Sequence, residues 1–543
     1  MLQSLSRTPH DPDCWMALGR LQEAQGELSE AMESYLQATS LEPDAPRSRT
    51  ALGHLFRYLS MPEEAIHWHS EALSRQPHEL ILRLNHLFVL PTVASSTEQL
   101  MHLRGRCLDG LDALISDPPS WRYTNHQSTT HTFPLIYHDH NDRQALEAYG
   151  ELISGLARNL VGEQWDWKPS PPDRTGRRKR IGFLSGFLSA HSNSLAFEGM
   201  IRHLDRSRFE VVVIHLYDSK QDETSARINS YADNVLRLSN KVSRSIRQLR
   251  DLELDLLYFT DIGMHFYATL LACARSAPIQ ITGWGIPQTS GLKTLDHYIS
   301  SDLLEPEDAA EHYTEDLVRL PGLPSCYLSS NLPNPEHNRD YFFLPNEELL
   351  VGCLQNLWKL HPDFDPLLEQ IAQQLPEAWF VLIEARISSY TQILIERLQK
   401  TAPTACERLI LLGPQTRLDY ISLAGCMDLL LDPPTFSSGV SLYDTIHTGT
   451  PTVCMEGRFL RSRHSQAVYR LIGVTDPPVA RNPSHYVQHV VALALDAGRR
   501  GALRAEIRQK ATRHLYDRLD GIRAFEAFAL EAIERSDAAP RRP

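Results

Sequence analysis

The sequence contains no cysteine pair in a C-x-x-C arrangement and no apolar run long enough to span a membrane. Its eight cysteines are scattered singly over 543 residues, which argues against a disulfide framework or a zinc knuckle and predicts a reduced, cytoplasmic protein. No apolar segment approaches the roughly 18 residues of a membrane helix, and the N-terminus MLQSLSRTPHDPD lacks the apolar core of a signal peptide. We therefore expect no membrane association.

The sequence also has fewer basic than acidic residues. Lys and Arg together number 54 against 67 Asp and Glu, for a formal net charge of -13, which argues against a dedicated nucleic-acid-binding protein. The sequence has neither a G-x-G-x-x-G fingerprint nor a Walker A loop, so dinucleotide oxidoreduction and P-loop chemistry are both disfavoured. A hydrophobic content of 42% is that of an ordinary globular protein.

What the sequence does have, over residues 1–80, is an internal repeat. Small and apolar positions recur at a constant offset, which is the period and pattern of the tetratricopeptide repeat. Because two repeats alone bury too little surface, we interpret residues 81–168 as further helices of the same layer. Such layers form concave protein-binding surfaces, so we expect a protein acceptor to bind there; self-association into a homo-oligomer is the alternative. The recurring pairs are Leu18 and Leu52, Ala31 and Ala65, and Pro43 and Pro77.

Beyond a linker at residues 169–180, proline-rich and then basic, short β-rich runs alternate with helical patterns. The runs RIGFLSG and FEVVVIHLYD open one such series, and LLVGCLQN and AWFVLIEA open a second. Alternating strands and helices predict parallel sheets covered by helices. The expected architecture is therefore α plus α/β: the helical layer, two Rossmann-like lobes at 181–340 and 341–500, and a helical tail at 501–543. Two such lobes in series place a ligand cleft where the carboxyl ends of their strands face each other.

Three features at consecutive strand ends of the second lobe predict a nucleotide site. Lys359 follows LLVGCLQN, Arg417 follows RLILLGP, and the turn from Ser437 to Ser441 follows DLLLDPP, with Asp444 about one helical turn further on. Main-chain N–H groups at the start of a helix bind phosphate, and a carboxylate suits a ribose diol. Taken singly, a strand-end lysine is usually a surface residue and a Ser-Gly turn is usually a helix cap. Their occurrence together favours the nucleotide site.

These stretches together resemble the protein O-GlcNAc transferases, a family that includes the SPINDLY-like proteins of plants and the bacterial adhesin N-glucosyltransferases. The likeness runs from about residue 178 to about residue 530 and rests on RIGFLSGFLSAHSNS, APIQITGWGIPQTSGLKTLDHYISSD, NLWKLHP and LDPPTFSSGVSLYD. The resemblance implies a GT-B fold and an inverting transfer from a nucleotide sugar. It also implies that the reaction needs neither a metal nor a cofactor.

The resemblance further implies a role for individual residues of this chain. Lys359 would hold the donor diphosphate, and His191 would point at the sugar and the acceptor, either as the base or only as an orienting group. Asp261 and His265 are second-rank candidates at the cleft. The donor-binding positions are Gln355 and Asn356 beside the phosphates and sugar, Gln415, Arg417 and Tyr420 at the base, Ser437, Ser438, Gly439, Val440 and Ser441 at the β-phosphate, Asp444 at the ribose, and Gly285, Pro287, Thr289, Ser290 and Gly291 over the sugar.

Two departures from the family pattern leave the transferred sugar open. The better-known branch has His-Thr-Thr where this chain has Gly439-Val440-Ser441, and a Tyr or His commonly precedes Pro287, where Ile286 stands here. UDP-GlcNAc and a Ser or Thr hydroxyl are the expected donor and acceptor, with glucose, fucose or an Asn acceptor as alternatives. A nucleotide-sugar epimerase or small-molecule transferase on the same frame, and an inactive repeat scaffold, are the other two functions that the sequence allows.

Overall fold

The computed structural model of the protein describes residues 10–117, 131–169 and 176–538. The chain divides into two compact units, Met1–Pro134 and Leu135–Pro543. Among the helices of the described residues, none combines the length and the apolar character needed to cross a membrane.

The first unit is helical, and its helices pair as antiparallel hairpins. The side chain of Asp11 caps the first helix by accepting from the N–H of Asp13, and Gly26 ends that helix in the left-handed conformation at φ 81°. Met16, Tyr35 and Leu52 belong to the apolar core between the pairs, which confirms the predicted helical repeats. The described helices are α1 Pro12–Gln25, α2 Leu28–Leu41, α3 Pro46–Tyr58, α4 Pro62–Arg75, α5 Leu80–Leu87 and α6 Thr97–Ser116.

Close approach of α1 and α2 depends on the glycine of the repeat. A Cβ atom built on Gly19 would lie 2.5 Å from a ring carbon of Tyr35, a ring that is almost fully buried. We therefore expect Gly19→Ala to lower the local stability of the repeats by about 1–3 kcal/mol through overpacking. Hydrogen exchange of α1 and α2 in the full chain measures this loss. Gly105→Ala is the matched control, since a Cβ there meets nothing within 4 Å, and equal protection in both variants would contradict the prediction.

The second unit contains two all-parallel sheets, each with its own hydrophobic centre. The first has the order β3-β2-β1-β4-β5-β6-β7 and the second the order β10-β9-β8-β11-β12-β13. In each sheet the first strand in the chain lies inside, and the order reverses next to it. In the first sheet, for example, Ile181 pairs with Val211 on one side and with Leu256 on the other. Crossover helices therefore cover both faces, as predicted.

The strands of the first sheet are β1 Lys179–Ser185, β2 Phe209–His215, β3 Asn234–Arg237, β4 Leu256–Phe259, β5 Ile279–Gly283, β6 His297–Ser301 and β7 Asp316–Leu320. Those of the second sheet are β8 Leu349–Gly352, β9 Ala378–Ile383, β10 Leu409–Leu412, β11 Leu429–Leu431, β12 Thr452–Met455 and β13 Val479–Ala480. The strands β6, β7 and β13 were not predicted.

The helices of the second unit connect these strands and pack on the sheets. They are α7 Arg143–Val161, α8 Ser192–His203, α9 Glu223–Asn229, α10 Val242–Asp251, α11 Phe266–Ala272, α12 Asp365–Gln374, α13 Ser388–Thr401, α14 Pro403–Cys406, α15 Arg417–Cys426, α16 Val440–Thr445, α17 His464–Ile472, α18 Pro483–Leu495, α19 Ala497–His514 and α20 Asp520–Ala538.

Candidate active site

Lys359 lies buried at the carboxyl edge of the second sheet, shortly after β8 ends. Its Nζ donates to Oε1 of Gln355 at 3.0 Å and to the main-chain carbonyls of Ser437 and Ser438 at 3.0 and 3.1 Å. The ammonium also sits 4.9 Å from the ring centre of Phe436. Burial lowers the pKa of Lys359 to about 8, because the charged form loses hydration there. A positive charge is therefore held inside the protein at the predicted phosphate position.

The turn that follows β11 is organised by a carboxylate that sequence reasoning missed. Asp432 Oδ1 accepts from the N–H and the hydroxyl of Ser438, both at 2.7 Å. Its Oδ2 accepts from the hydroxyls of Ser437 and Ser465, both at 2.6 Å. The hydroxyls of Ser437 and Ser438, which were predicted to face the donor, thus bond the protein itself. The missed signal is a carboxylate that directly follows a buried strand and directly precedes Pro433.

The main chain beyond this turn remains able to bind an anion. Gly439 takes φ 60° and caps α16, a conformation that favours glycine. The first N–H groups of a helix have no partner within it, so those of Gly439, Val440 and Ser441 are the main-chain donors that this turn offers to an anion. The hydroxyl of Ser441 bonds the carbonyl of Ser438 at 2.7 Å. A phosphate bound at this turn would therefore depend on main-chain N–H groups together with Lys359.

The predicted ribose and base residues meet as an ion pair. Arg417, the first residue of α15, donates from Nε to Asp444 Oδ2 at 3.0 Å and from Nη2 to Oδ1. Tyr420 is half-buried on α15, where loss of hydration raises the pKa of its hydroxyl. The Gln415 side chain bonds the carbonyl of Gly413 at 2.6 Å. Asn356 is exposed.

The expectation that the three features occupy consecutive strand ends in space is wrong. Lys359 and the serine turn do follow neighbouring strands, β8 and β11, but Arg417 follows β10 at the far edge of the sheet, with β9 between. Arg417 reaches the site because its long side chain extends to Asp444 on α16.

The loop predicted to cover the donor sugar is anchored at its second half. Thr289 and Ser290 bond the buried carboxylate of Glu315, from the Thr289 hydroxyl at 2.6 Å and the Ser290 N–H at 2.8 Å. Gly291 has φ 73°, and a Cβ there would lie 2.0 Å from the carbonyl of Leu146 on α7. Pro287 lines a small hollow that the loop shares with residues 459–461 of the second lobe. The loop is therefore held between the two lobes.

His191 caps α8 and its ring is fixed by that role. Nδ1 accepts from the N–H of Asn193 at 3.1 Å, and the ring stacks on Phe187 at 4.7 Å. Burial, reinforced by Lys220, lowers the pKa of His191, so the ring is neutral near pH 7. Since Nδ1 is an acceptor, the proton of the neutral ring is on Nε2. His191 therefore presents a hydrogen-bond donor rather than a free lone pair.

The second-rank candidates lie beside His191 in the first lobe. Asp261 is fully buried after β4, where Oδ2 accepts from the N–H of Gly186 at 2.8 Å, and burial raises its pKa to about 6. His265 caps α11 through Nδ1 and has Nε2 3.3 Å from Asp218. Both residues are engaged in holding the loops that follow β1, β2 and β4.

One further segment reaches the site from outside the two sheets. Tyr137, which follows the first unit in the chain, places its ring 4.9 Å from Phe436 and 6.4 Å from Trp358. Arg461 donates to the carbonyl of His140 at 2.8 Å. Residues 137–140 therefore pack against the aromatic ring over which Lys359 sits, a contact that no sequence pattern indicated.

The order of strands in both sheets defines the class to which the second unit belongs. Two doubly wound parallel lobes in series constitute the GT-B fold. The predicted fold class is thereby confirmed.

This chain belongs to the glycosyl transferase family 41. The match to that family covers residues 126–327 and 335–520, which is more than half of the chain, and residues 12–55 match the tetratricopeptide repeat. The resemblance inferred from the sequence is thus confirmed at the level of the family.

Among similar proteins is a probable UDP-N-acetylglucosamine–peptide N-acetylglucosaminyltransferase SPINDLY of Solanum lycopersicum. It is 25% identical over 394 residues, which are 69% of this chain and 39% of that protein. The UDP-glucose:protein N-β-glucosyltransferase of Actinobacillus pleuropneumoniae is 24% identical, over 65% of this chain and 57% of its own length. The chain therefore spans only part of each relative.

A solved structure shows the same fold over nearly the whole chain. A mutant of the Thermobaculum terrenum O-GlcNAc transferase superimposes with a TM-score of 0.74 and 22% sequence identity, covering 97% of this chain and 98% of that one. At this identity the likeness bears on the fold.

Proposed function

We propose that this chain transfers a sugar from a nucleoside diphosphate to a polypeptide, with GlcNAc from UDP-GlcNAc and a Ser or Thr hydroxyl as donor and acceptor. The transfer inverts the anomeric centre and uses neither a metal nor a cofactor. The acceptor protein binds through the helical repeats. Support comes from membership of family 41, from the names of the relatives, and from the chemistry of the site.

The observation that carries the proposal is the buried ammonium of Lys359 beside the first N–H groups of α16. Transfer breaks the bond between the anomeric carbon and a phosphate oxygen, so negative charge grows on the leaving diphosphate. A fixed cation and preoriented N–H groups stabilise that charge without reorganising, which is commonly the largest contribution to catalysis. A phosphate oxygen is a stronger acceptor for Nζ than the neutral carbonyls of Ser437 and Ser438, so the donor can displace one of them.

In the proposed step the acceptor hydroxyl oxygen attacks the anomeric carbon from the face opposite the diphosphate. The new carbon–oxygen bond forms as the old one breaks, and the nucleoside diphosphate leaves with the electron pair. The acceptor proton passes to a phosphate oxygen or to water, because the lone pair of His191 Nδ1 is already bonded to Asn193. His191 donates from Nε2 and orients the sugar. Arg417 and Asp444 would hold the base and the ribose.

This assignment predicts a moderate effect of His191→Asn. Asparagine is a good N-cap, so α8 should stay capped while the Nε2–H donor is lost. We expect kcat to fall about 10-fold, the value of roughly one hydrogen bond, with the acidic limb of the pH–rate profile unchanged. Steady-state kinetics from pH 5 to 9 make the measurement. A loss near the 10²–10⁴-fold typical of a general base, together with a lost acidic limb, would identify His191 as the base instead.

A second candidate is glucosyl transfer, favoured by the glucosyltransferase among the relatives at 24% identity, close to the 25% of the SPINDLY protein. The departures at Gly439-Val440-Ser441 remove side-chain donors near the phosphates and do not favour one sugar. A comparison of donors distinguishes GlcNAc transfer and glucosyl transfer from fucosyl transfer and from an inactive scaffold.

The deciding experiment measures nucleotide release by the full chain with UDP-GlcNAc, UDP-glucose and GDP-fucose, each with a protein lysate as acceptor. Turnover that requires the acceptor and occurs with one donor names the sugar and supports the proposal. Release without sugar on protein would indicate a small-molecule transferase or a hydrolase. If none of the three donors is bound or turned over, the protein would be an inactive repeat scaffold that retains the transferase fold.

A further inference from the structure

The carboxylate at the end of β11 has no part in the step described above, although it is the most heavily bonded acidic side chain of the site. Asp432 is 2% exposed. Its two oxygens accept four hydrogen bonds, from the N–H and hydroxyl of Ser438 and from the hydroxyls of Ser437 and Ser465. Burial raises the pKa of Asp432, and the hydrogen bonds from the serines and the charge of Lys359 oppose that rise and favour the ionised form.

The opposite side of the same turn faces Lys359. While the hydroxyls of Ser437 and Ser438 donate to Asp432, the carbonyls of the same two residues accept from Nζ at 3.0 and 3.1 Å. Two peptide units therefore lie between a buried anion and a buried cation. All three acceptors of Nζ are neutral, the third being Gln355. The charge of Asp432 opposes the effect of burial and raises the pKa of Lys359.

Two other titratable groups near Lys359 carry no charge near neutral pH. Cys353 follows β8, and burial raises the pKa of its thiol to about 12. His464 begins α17, and burial lowers the pKa of its ring to about 3. Asp432 is thus the anion that balances the ammonium within this part of the described chain.

We propose that Asp432 is the positioning residue of the donor site, and that it acts in two ways. Its charge keeps Lys359 protonated inside the protein. Its bonds to Ser437 and Ser438 hold the carbonyls of those two residues against Nζ, which fixes the ammonium where it would meet the donor diphosphate. The first action is a property of the ligand-free protein, whereas the second rests on the proposed function.

The expected change in the pKa of Lys359 follows from two opposing influences: burial lowers this pKa, and the negative charge of Asp432 raises it. A lysine with a pKa of about 8 is roughly nine-tenths protonated at pH 7. Removing an opposite charge from the surroundings of a buried group shifts its pKa by about one unit or more. Without Asp432, Lys359 would therefore be no more than about half protonated at pH 7, and a diphosphate would meet a partly neutral amine.

The test titrates Lys359 directly, without nucleotide. The chain has eight lysines, so the ε-carbon resonances of protein grown on ¹³C-lysine can be resolved and Lys359 assigned by its loss in Lys359→Met. We expect Asp432→Asn to lower the titration midpoint of Lys359 by about one pH unit. The matched control is Asp428→Asn at the amino end of the same strand, whose carboxylate bonds Arg339 at 2.8 Å and the N–H of Leu350 at 2.9 Å; the midpoint should stay at its wild-type value.

An unchanged midpoint in Asp432→Asn, or an equal fall in both variants, would overturn the proposal. If Asp432→Asn does not fold, Asp432→Glu keeps the charge and should keep the midpoint, and a fall there would overturn it as well. Binding of UDP at pH 7 then distinguishes a failure of the proposal about Asp432 from a failure of the proposed function. If the wild-type protein binds no UDP, the proposed function is refuted, and the titration still tests the effect of Asp432 on Lys359. If the wild-type protein binds UDP, Asp432→Asn should lower its affinity for UDP about tenfold.

Discussion

Lys359→Ala is expected to lower sugar transfer by about 10²–10³-fold, the loss that follows removal of one preorganised stabilising group at a developing negative charge. The physical reason is that Nζ lies at the turn after β11, where it contacts the carbonyls of Ser437 and Ser438 and would face the leaving diphosphate. Transfer of labelled sugar to protein at saturating donor measures the effect. The fold should persist, because the buried carboxylate of Asp432 keeps its four hydrogen bonds from Ser437, Ser438 and Ser465 when Lys359 is removed.

The matched control for this variant is Lys400→Ala. Lys400 is exposed near the end of α13 in the same lobe, and its removal should leave transfer unchanged. Transfer by Lys359→Ala at the wild-type rate would show that the diphosphate binds elsewhere. A comparable loss in both variants would point to a general effect of charge on the lobe.

Asp365→Ala is expected to destabilise the second lobe by roughly 3–5 kcal/mol, because it removes the carboxylate that balances the charge of a buried guanidinium. Arg397 donates to Asp365 from Nε at 2.8 Å and from Nη2 at 3.0 Å, and both side chains are 1% exposed. Arg397 also donates to the carbonyl of Leu360 at 2.8 Å, directly after Lys359. Hydrogen exchange over α12 and α13 in the full chain should rise accordingly, and donor affinity should fall with it.

The double variant Asp365→Ala/Arg397→Met distinguishes an unpaired charge from a simple loss of packing. Removing both charges should recover much of the stability, since a buried ion pair and an apolar pair of similar volume are often close in energy. Protection as low as in Asp365→Ala alone would attribute the loss to the cavity. Glu531→Ala, whose side chain is 64% exposed in its pair with Arg535, should have little effect.

The architecture of both lobes was predictable because most of their strands are buried on both faces. Runs such as Ile181–Leu184 and Leu429–Leu431 are continuously apolar, and burial on two sides requires that pattern. The strands β6 and β7 were not predicted because they lack this pattern. Neither has a long apolar run, since HYISS and DLVRL each contain only two consecutive apolar residues. The strand β13 has only two residues, too few for any period.

The candidate site was predictable in its residue types and only partly in its contacts. Lys359 and the turn from Ser437 to Ser441 were singled out because they follow strands, and the structure brings them together. Sequence could not show that Ser437 and Ser438 donate to Asp432 rather than to a ligand, because a hydroxyl bonds whichever acceptor the fold brings near. Nor could it place Arg417 on Asp444, since the strand order that separates β10 from β8 emerges only from sheet assembly.

The repeat period, the alternation of strands and helices and the glycine-serine turn are local patterns, and the sequence by itself determined them. Repeats, lobes and the position of Lys359 after a strand all follow from spacing along the chain. The tertiary structure alone decided that Asp432 and Lys359 face each other across two peptide units, and that Asn193 fixes the tautomer of His191. These relations depend on distances between groups that are buried together, where desolvation and hydrogen bonding set charge and proton position, and spacing along a chain carries no such information.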